Sequence, residues 1–293
     1  MSEAMIRRLG AACVLAAAWP LAASAGGSAE YTAGFGPESY RSDEVRGDID
    51  LGEAWNLAVD HLRARTPGDK ATTQTGLAAN WQITKPVSAT WRYTDAANGL
   101  MDITGHDIGV SLGLHHWAGA AREFSLDLGI ARFTQEGSAD AGVFAGRQME
   151  QTRHRLGVYW ELSDALAVHA AVESEHYDKD PVDVARRLLR RRFNSANAAF
   201  TLLGFADHAW TLGMDWSITD ALTWRVVTGR TETVLAQQQK FVQLGADWRW
   251  SDALSIGATV TRNSSTTVRT SAGAVAMEGS DGTYSDVSVR WSF

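Results

Sequence analysis

The sequence predicts an all-β protein, a transmembrane antiparallel up-and-down β-barrel of about 14 strands. Three observations lead there: apolar/polar alternation that runs to the last residue, one short turn repeated along the chain, and a tryptophan beside that turn.

The alternation is clearest at the C-terminus, where Val287, Val289, Trp291 and Phe293 stand between Asp286, Ser288, Arg290 and Ser292. A period of two places these sets on opposite faces of a strand. The pattern recurs in Leu77/Ala79/Trp81/Ile83, Ile108/Val110/Leu112/Leu114, Phe124/Leu126/Leu128/Ile130, Trp210/Leu212/Met214/Trp216/Ile218 and Leu244/Ala246/Trp248/Trp250. Between them stand Gly76, Asn80, Asp107, Ser111, Asp127, Asp215, Ser217, Gln243, Asp247 and Arg249. One face is apolar and the other small, polar or charged, so the second must meet water. In a barrel that face is the lumen.

The turn is carried by four segments: Trp81-Gln-Ile-Thr-Lys-Pro-Val87, Trp160-Glu-Leu-Ser-Asp-Ala-Leu166, Trp216-Ser-Ile-Thr-Asp-Ala-Leu222 and Trp248-Arg-Trp-Ser-Asp-Ala-Leu254. Ser or Thr followed by Asp or Lys interrupts the alternation, which resumes two residues later, as a tight hairpin requires. A looser version is read at Trp55-Asn-Leu-Ala-Val-Asp60, and a sixth turn is placed at residues 118–123, after Trp117. A strand on each side of six turns, together with the last strand ending at Phe293, gives thirteen, and Tyr31/Ala33/Phe35 supplies a first strand to make fourteen. Poor pairing of that strand would leave twelve; a further hairpin at residues 197–203 would make sixteen. The sheet must close because unpaired backbone groups at an edge are too costly in hydrocarbon.

The other connections vary from brief (residues 66–69) to long (residues 178–207), so the two ends of the hairpins differ. Short turns on one side and longer loops on the other match the periplasmic and extracellular rims of a membrane barrel. Trp55, Trp81, Trp160, Trp216, Trp248 and Trp291 then read as a periplasmic aromatic girdle, since indole favours the membrane interface.

The N-terminus supplies an address. Arg7 and Arg8, an apolar run from Leu9 to Ala23 and the sequence Ala23-Ser24-Ala25 fit a signal peptide over residues 1–25, leaving a single barrel domain over 26–293. About 268 residues without a Pro/Ser-rich linker suit one large domain. Cys13, the only cysteine, lies in the leader, so the mature chain has no disulfide or thiolate chemistry. Losing Glu3, Arg7 and Arg8 takes the formal charge from -7 to -8, the wrong sign for a nucleic-acid partner.

The leader, girdle, turn asymmetry and terminal Phe293 together resemble the porin-like superfamily of Gram-negative outer-membrane β-barrels. The resemblance covers nearly the whole chain and specifies architecture, not subfamily. It implies an outer-membrane location, contact with outer-membrane lipids and lipopolysaccharide, and delivery by the barrel-assembly machinery with Phe293 as the assembly signal.

Parity assigns Arg92, Asp127, Arg155, His169, Glu173, Asp215, Arg225, Asp247, Arg249 and Arg290 to the pore lining, with Asp286 on the same face. Charges of both signs across a water-filled lumen orient polar solutes and bias ion selectivity. The longest connection carries Arg186, Arg187, Arg190, Arg191 and Arg192 after Asp180-Pro181, an N-cap and first-turn pair that predicts a short basic helix. Such a segment could bind phosphate or an acidic saccharide, gate the lumen, or be a solvated loop. His169 and Glu173 share a face about 13 Å apart at 3.3 Å per residue, too far for a direct acid/base pair. No enzyme motif is recognisable, and His115-His116 and Asp102/His106 lack a third ligand, so no catalytic residue, metal or cofactor is expected. The expected function is a passive or weakly selective channel for small hydrophilic solutes. The alternative is a non-conducting barrel that anchors surface loops or assists envelope or polysaccharide assembly.

Overall fold

The computed structural model describes residues 26–293 apart from 69, 100, 139–145, 180–204, 270–274 and 278. Fourteen strands form one closed barrel: β1 (Gly27–Phe35), β2 (Arg41–Leu51), β3 (Trp55–Arg65), β4 (Thr72–Thr84), β5 (Val87–Ala97), β6 (Met101–Gly113), β7 (Phe124–Gly137), β8 (Gln148–Ser163), β9 (Leu166–Tyr177), β10 (Ala206–Thr219), β11 (Leu222–Thr233), β12 (Gln238–Ser251), β13 (Leu254–Ser265) and β16 (Asp281–Ser292). A small hairpin of β14 (Val268–Arg269) and β15 (Val275–Met277) lies between β13 and β16, and one short helix, α1 (Leu114–Ala118), follows β6.

All neighbouring barrel strands are antiparallel, and β1 pairs with β16 to close the ring. The closing register sets Ala29 opposite Trp291, Tyr31 opposite Val289 and Ala33 opposite Val287, so the apolar alternation stays on one face across the seam. Gly27 and Phe293 exchange both backbone hydrogen bonds at 3.0 Å, extending the ladder to the last residue. The Phe293 ring packs where a Cβ on Gly27 would lie.

The four repeated segments fold alike. In each, the register slips by one residue just before the turn: between Gln82 and Thr84, Glu161 and Ser163, Ser217 and Thr219, and Arg249 and Ser251. The residue left unpaired, Ile83, Leu162, Ile218 or Trp250, is a large exposed hydrophobic. Such a bulge tightens the local twist and bends the strand into its turn. The hydroxyl that follows caps it: Thr219 Oγ1 accepts from the Ala221 and Leu222 amides at 3.2 and 3.1 Å, and Ser163 Oγ from the Ala165 amide at 3.3 Å. The residue before the last of each segment, Pro86 in the first and alanine in the other three, offers its carbonyl onward to another strand. Ala165 accepts from Ser217, Ala221 from Arg249 and Ala253 from Ser292, at 2.8–2.9 Å. The repeat is therefore a rim-forming unit that bonds forward around the barrel.

Two expectations for this rim need correction. Trp55 follows its turn rather than preceding it: Gly52, at φ 75°, turns the chain and Trp55 opens β3. It still reaches the level of the others, because it pairs with Trp81 and their rings stack at 5.2 Å. Leu114 is not on β6, which ends at Gly113; residues 114–118 form α1, closed by Gly119 at φ 65°. Two adjacent histidines and a tryptophan there have no strand partner, and a single helical turn satisfies their backbone locally. The strand count and the first strand stand as expected.

Trp55, Trp81, Trp160, Trp216, Trp248 and Trp291 are 41–62 % exposed and lie at the short-turn ends of their strands. In a bilayer their indoles should sit at the interface. Single-tryptophan variants retaining Trp160 or Trp216 are expected to be quenched by brominated lipid. Fluorescence unchanged by the brominated lipid would contradict that placement.

Candidate functional site in the barrel interior

The outer wall is the apolar face of the alternation. Leu77, Ile108, Ile130, Val172, Leu212, Leu244 and Val260 are 46–55 % exposed, a density of bare hydrophobic surface that water does not tolerate on a monomer. The polar residues between them face inward, where they form a chain of ion pairs that passes from strand to strand.

The chain starts where Arg92 Nη2 on β5 donates to Asp60 Oδ1 on β3 at 2.6 Å, reaching across β4. Gly76 lies beneath, and a Cβ there would collide with both partners. Asp60 is 5 % exposed, so the pair holds a nearly buried carboxylate. On β8, Arg153 Nε donates to Glu175 Oε1 on β9 at 2.6 Å and lies 3.8 Å from Glu173. Arg155 is 3.9 Å from the same Glu173. The Arg153 guanidinium also stands 5.2 Å from the centre of the Phe133 ring, a cation–π distance. Farther round, His169 Nε2 approaches Asp215 to 4.0 Å by lying over Gly213. Arg225 Nε donates to Asp215 at 2.7 Å and is 3.9 Å from Asp247. Near the seam, Arg290 is 3.4 Å from Glu30 and Arg46 is 3.0 Å from Glu44. Inward glycines thus act as gaps over which charged side chains lie flat against the wall.

The residues singled out by parity are accordingly distributed. Arg92, Arg155, His169, Glu173, Asp215, Arg225, Asp247 and Arg290 all join these pairs. Asp127 lies on β7 beside Gly157 and has no ion pair among the described residues. Arg249 is set apart, since its guanidinium donates to the Asp220 carbonyl at 2.6 Å and braces a turn. His169 and Glu173 take different partners. The His115 and His116 rings meet at a tilt in α1, their centres 4.0 Å apart, and His106 packs against Trp91 and Tyr93 on the outer face. Among the described residues no group of three or more His, Cys, Asp or Glu side chains is placed to hold a metal. The basic stretch with Arg186, Arg187, Arg190, Arg191 and Arg192, and residues 1–25, where a leader is expected, lie outside the described residues.

Sequence reasoning missed Asp60, Arg153 and Glu175, although extending the same parity along β3, β8 and β9 finds all three. It also missed an apolar cluster on the inner side. Met101, Met149 and Phe205 are 1–4 % exposed and pack with Ile103, Tyr177, Val234 and Leu235 at the long-loop rim. Gln135 and Gln151, hydrogen-bonded to each other, are buried among the neighbouring strands, as is Gln237 beyond β11. On β6 the polarity of the two faces inverts at this level: Met101 and Ile103 turn inward while Asp102 and Thr104 turn outward.

The opposite half of the interior holds a cavity of about 360 Å3. Its walls come from β1, β2, β3, β11, β12, β13 and β16 and include Glu30, Glu44, Asp247, Asp286, Arg225 and Ser288. Tyr40, in the connection after β1, forms its outer edge and meets Tyr284 edge-to-face at 5.3 Å. Burial raises the Tyr40 phenol above its ordinary pKa, so it stays neutral there.

The Asp60–Arg92 pair offers a direct energetic check. In a double-mutant cycle with Asp60→Asn and Arg92→Gln, a coupling of roughly 0.5–3 kcal/mol is expected from urea unfolding in detergent. Additive single-variant effects would show that the contact contributes nothing specific.

No protein-family profile matches the sequence, and no characterised protein matches it in sequence. Similar solved structures include outer-membrane porins and channels. A monoaromatic hydrocarbon channel, CymD, superposes with a TM-score of 0.52 at 10 % identity, over 92 % of this chain and 88 % of that one. The KdgM porin in complex with disordered oligogalacturonate gives 0.46 at 12 % identity, over 91 % and 99 %. The outer-membrane channel DcaP of Acinetobacter baumannii gives 0.47 at 8 % identity, over 92 % and 95 %. At these identities the likeness is one of fold alone, a closed antiparallel barrel, which in this chain has fourteen strands.

Proposed function

We propose that the chain is an outer-membrane channel of a Gram-negative bacterium, passing small hydrophilic solutes passively or with weak selectivity. The observation that carries this reading is a charged, cavity-bearing interior enclosed by a bare apolar exterior. A barrel built only as an anchor needs no water-filled space, and the packed cluster around Met101 and Met149 fills one side of the interior alone. The short-turn rim would face the periplasm and the long connections the outside. The outer wall would contact outer-membrane lipids and lipopolysaccharide, and Phe293 would mark the chain for the barrel-assembly machinery. The inner ion pairs read as wall and filter rather than catalytic groups, because each of these arginines is bound to a carboxylate or a backbone carbonyl.

Planar-bilayer recording of the refolded protein tests this reading. Discrete, ohmic conductance steps are expected. Folded barrels that insert and carry no current would leave the anchor reading in place of the channel.

A further inference from the structure

The two halves of the barrel interior differ in kind, and the difference follows the strand order. The apolar cluster takes Met101 and Ile103 from β6, Met149 from β8, Tyr177 from β9, Phe205 just before β10, and Val234 and Leu235 just after β11. The cavity takes its walls from the contiguous arc β3, β2, β1, β16, β13, β12 and β11. Among the described residues, then, the long-loop end of one half is packed with buried side chains while the other half is open from Tyr40 down to Glu30 and Asp247.

The charges of the open half do not cancel. Glu30 and Glu44 are answered by Arg290 and Arg46 at 3.4 and 3.0 Å. Arg225, the one cation among the described residues that line the cavity, spends its short contact, 2.7 Å, on Asp215 and stands 3.9 Å from Asp247. Asp286, set in the cavity wall over Gly34, has no ion pair among the described residues. Arg249, of the right parity to help, is turned away to the Asp220 carbonyl. The local sum is negative. A passage on the order of the ~10 Å Debye length at 0.1 M salt lets every permeant ion feel that sum.

We infer that solutes cross along the β11–β13, β16 and β1–β3 side of the lumen, off the barrel axis, and that Asp247 and Asp286 make this path select for cations. The inference rests on the channel reading and names the class of solute it favours. The ring of Tyr40 at its mouth, held edge-to-face against Tyr284, adds an aromatic face that favours a cation.

The test is the zero-current potential of single channels between 0.1 M and 0.01 M KCl, for the parent, Asp286→Asn and Asp127→Asn. Both variants remove one inward carboxylate that lacks an ion pair among the described residues; Asp127 lies on β7, across from the cavity. The parent is expected to prefer K+ over Cl− severalfold, and raising both solutions tenfold in salt should weaken the preference. Asp286→Asn should lower the permeability ratio at least twofold, and Asp127→Asn should lower it less. Should Asp286→Asn fail to fold, Asp247→Asn makes the same comparison. A conducting parent that is unselective or prefers Cl− overturns the inference, as does an Asp127→Asn effect equal to that of Asp286→Asn. A folded parent that carries no current overturns the channel reading itself.

Discussion

Each backbone N–H and C=O in a hydrocarbon layer must find its partner within the protein, and the rest of this structure depends on meeting that demand. A sheet meets it only by closing, so the pairing of β1 with β16 matters more than any single side-chain contact. The reciprocal bonds between Gly27 and Phe293 complete that ladder at its last rung. Closure also divides the side chains. With a period of two, every strand gives one set to lipid and the other to a lumen, and a chemistry that differs between the sets is enforced along the whole chain.

Most of the architecture was legible because the signals are local. Alternation is unbroken over residues 210–218 of β10, 242–250 of β12 and 286–292 of β16, and Ser/Thr-Asp-Ala-Leu marks three of the six short turns. What escaped was the mechanics of those turns. The one-residue bulge at Ile83, Leu162, Ile218 and Trp250 leaves the apolar residue facing outward, so it looks like continued alternation. Trp55 was misread for the opposite reason: a Gly52 turn precedes it, and the tryptophan alone suggested a turn that follows. The helix α1 hid inside the alternation of β6, since Leu112 and Leu114 are two apart whichever structure they adopt.

The interior was legible in outline only. Parity depends on one strand at a time and therefore finds inward charges; ion pairs depend on register and tilt, which set Arg92 against Asp60 two strands away. Glycines that permit such reaches, Gly76 and Gly213, are uninformative in sequence because crowding around them comes from elsewhere in the chain. The cluster of Met101, Met149 and Phe205 was hidden by the assumption that inward means polar throughout. That assumption holds at the level of the hydrocarbon and fails at the long-loop rim, where the outward side meets water and the inward side is free to pack.

The account's central claim is that the inner face of the alternation is wet and the outer face is not. Residues 26–293 carry no cysteine, so a single one can be introduced there at will. The most direct measurement is the rate at which a charged, membrane-impermeant thiol reagent modifies Ser288→Cys, in the cavity wall, and Leu212→Cys, on the outer wall, in proteoliposomes. Fast labelling at 288 with protection at 212 is the predicted result. Equal labelling at both positions, or labelling at 212 alone, would contradict it.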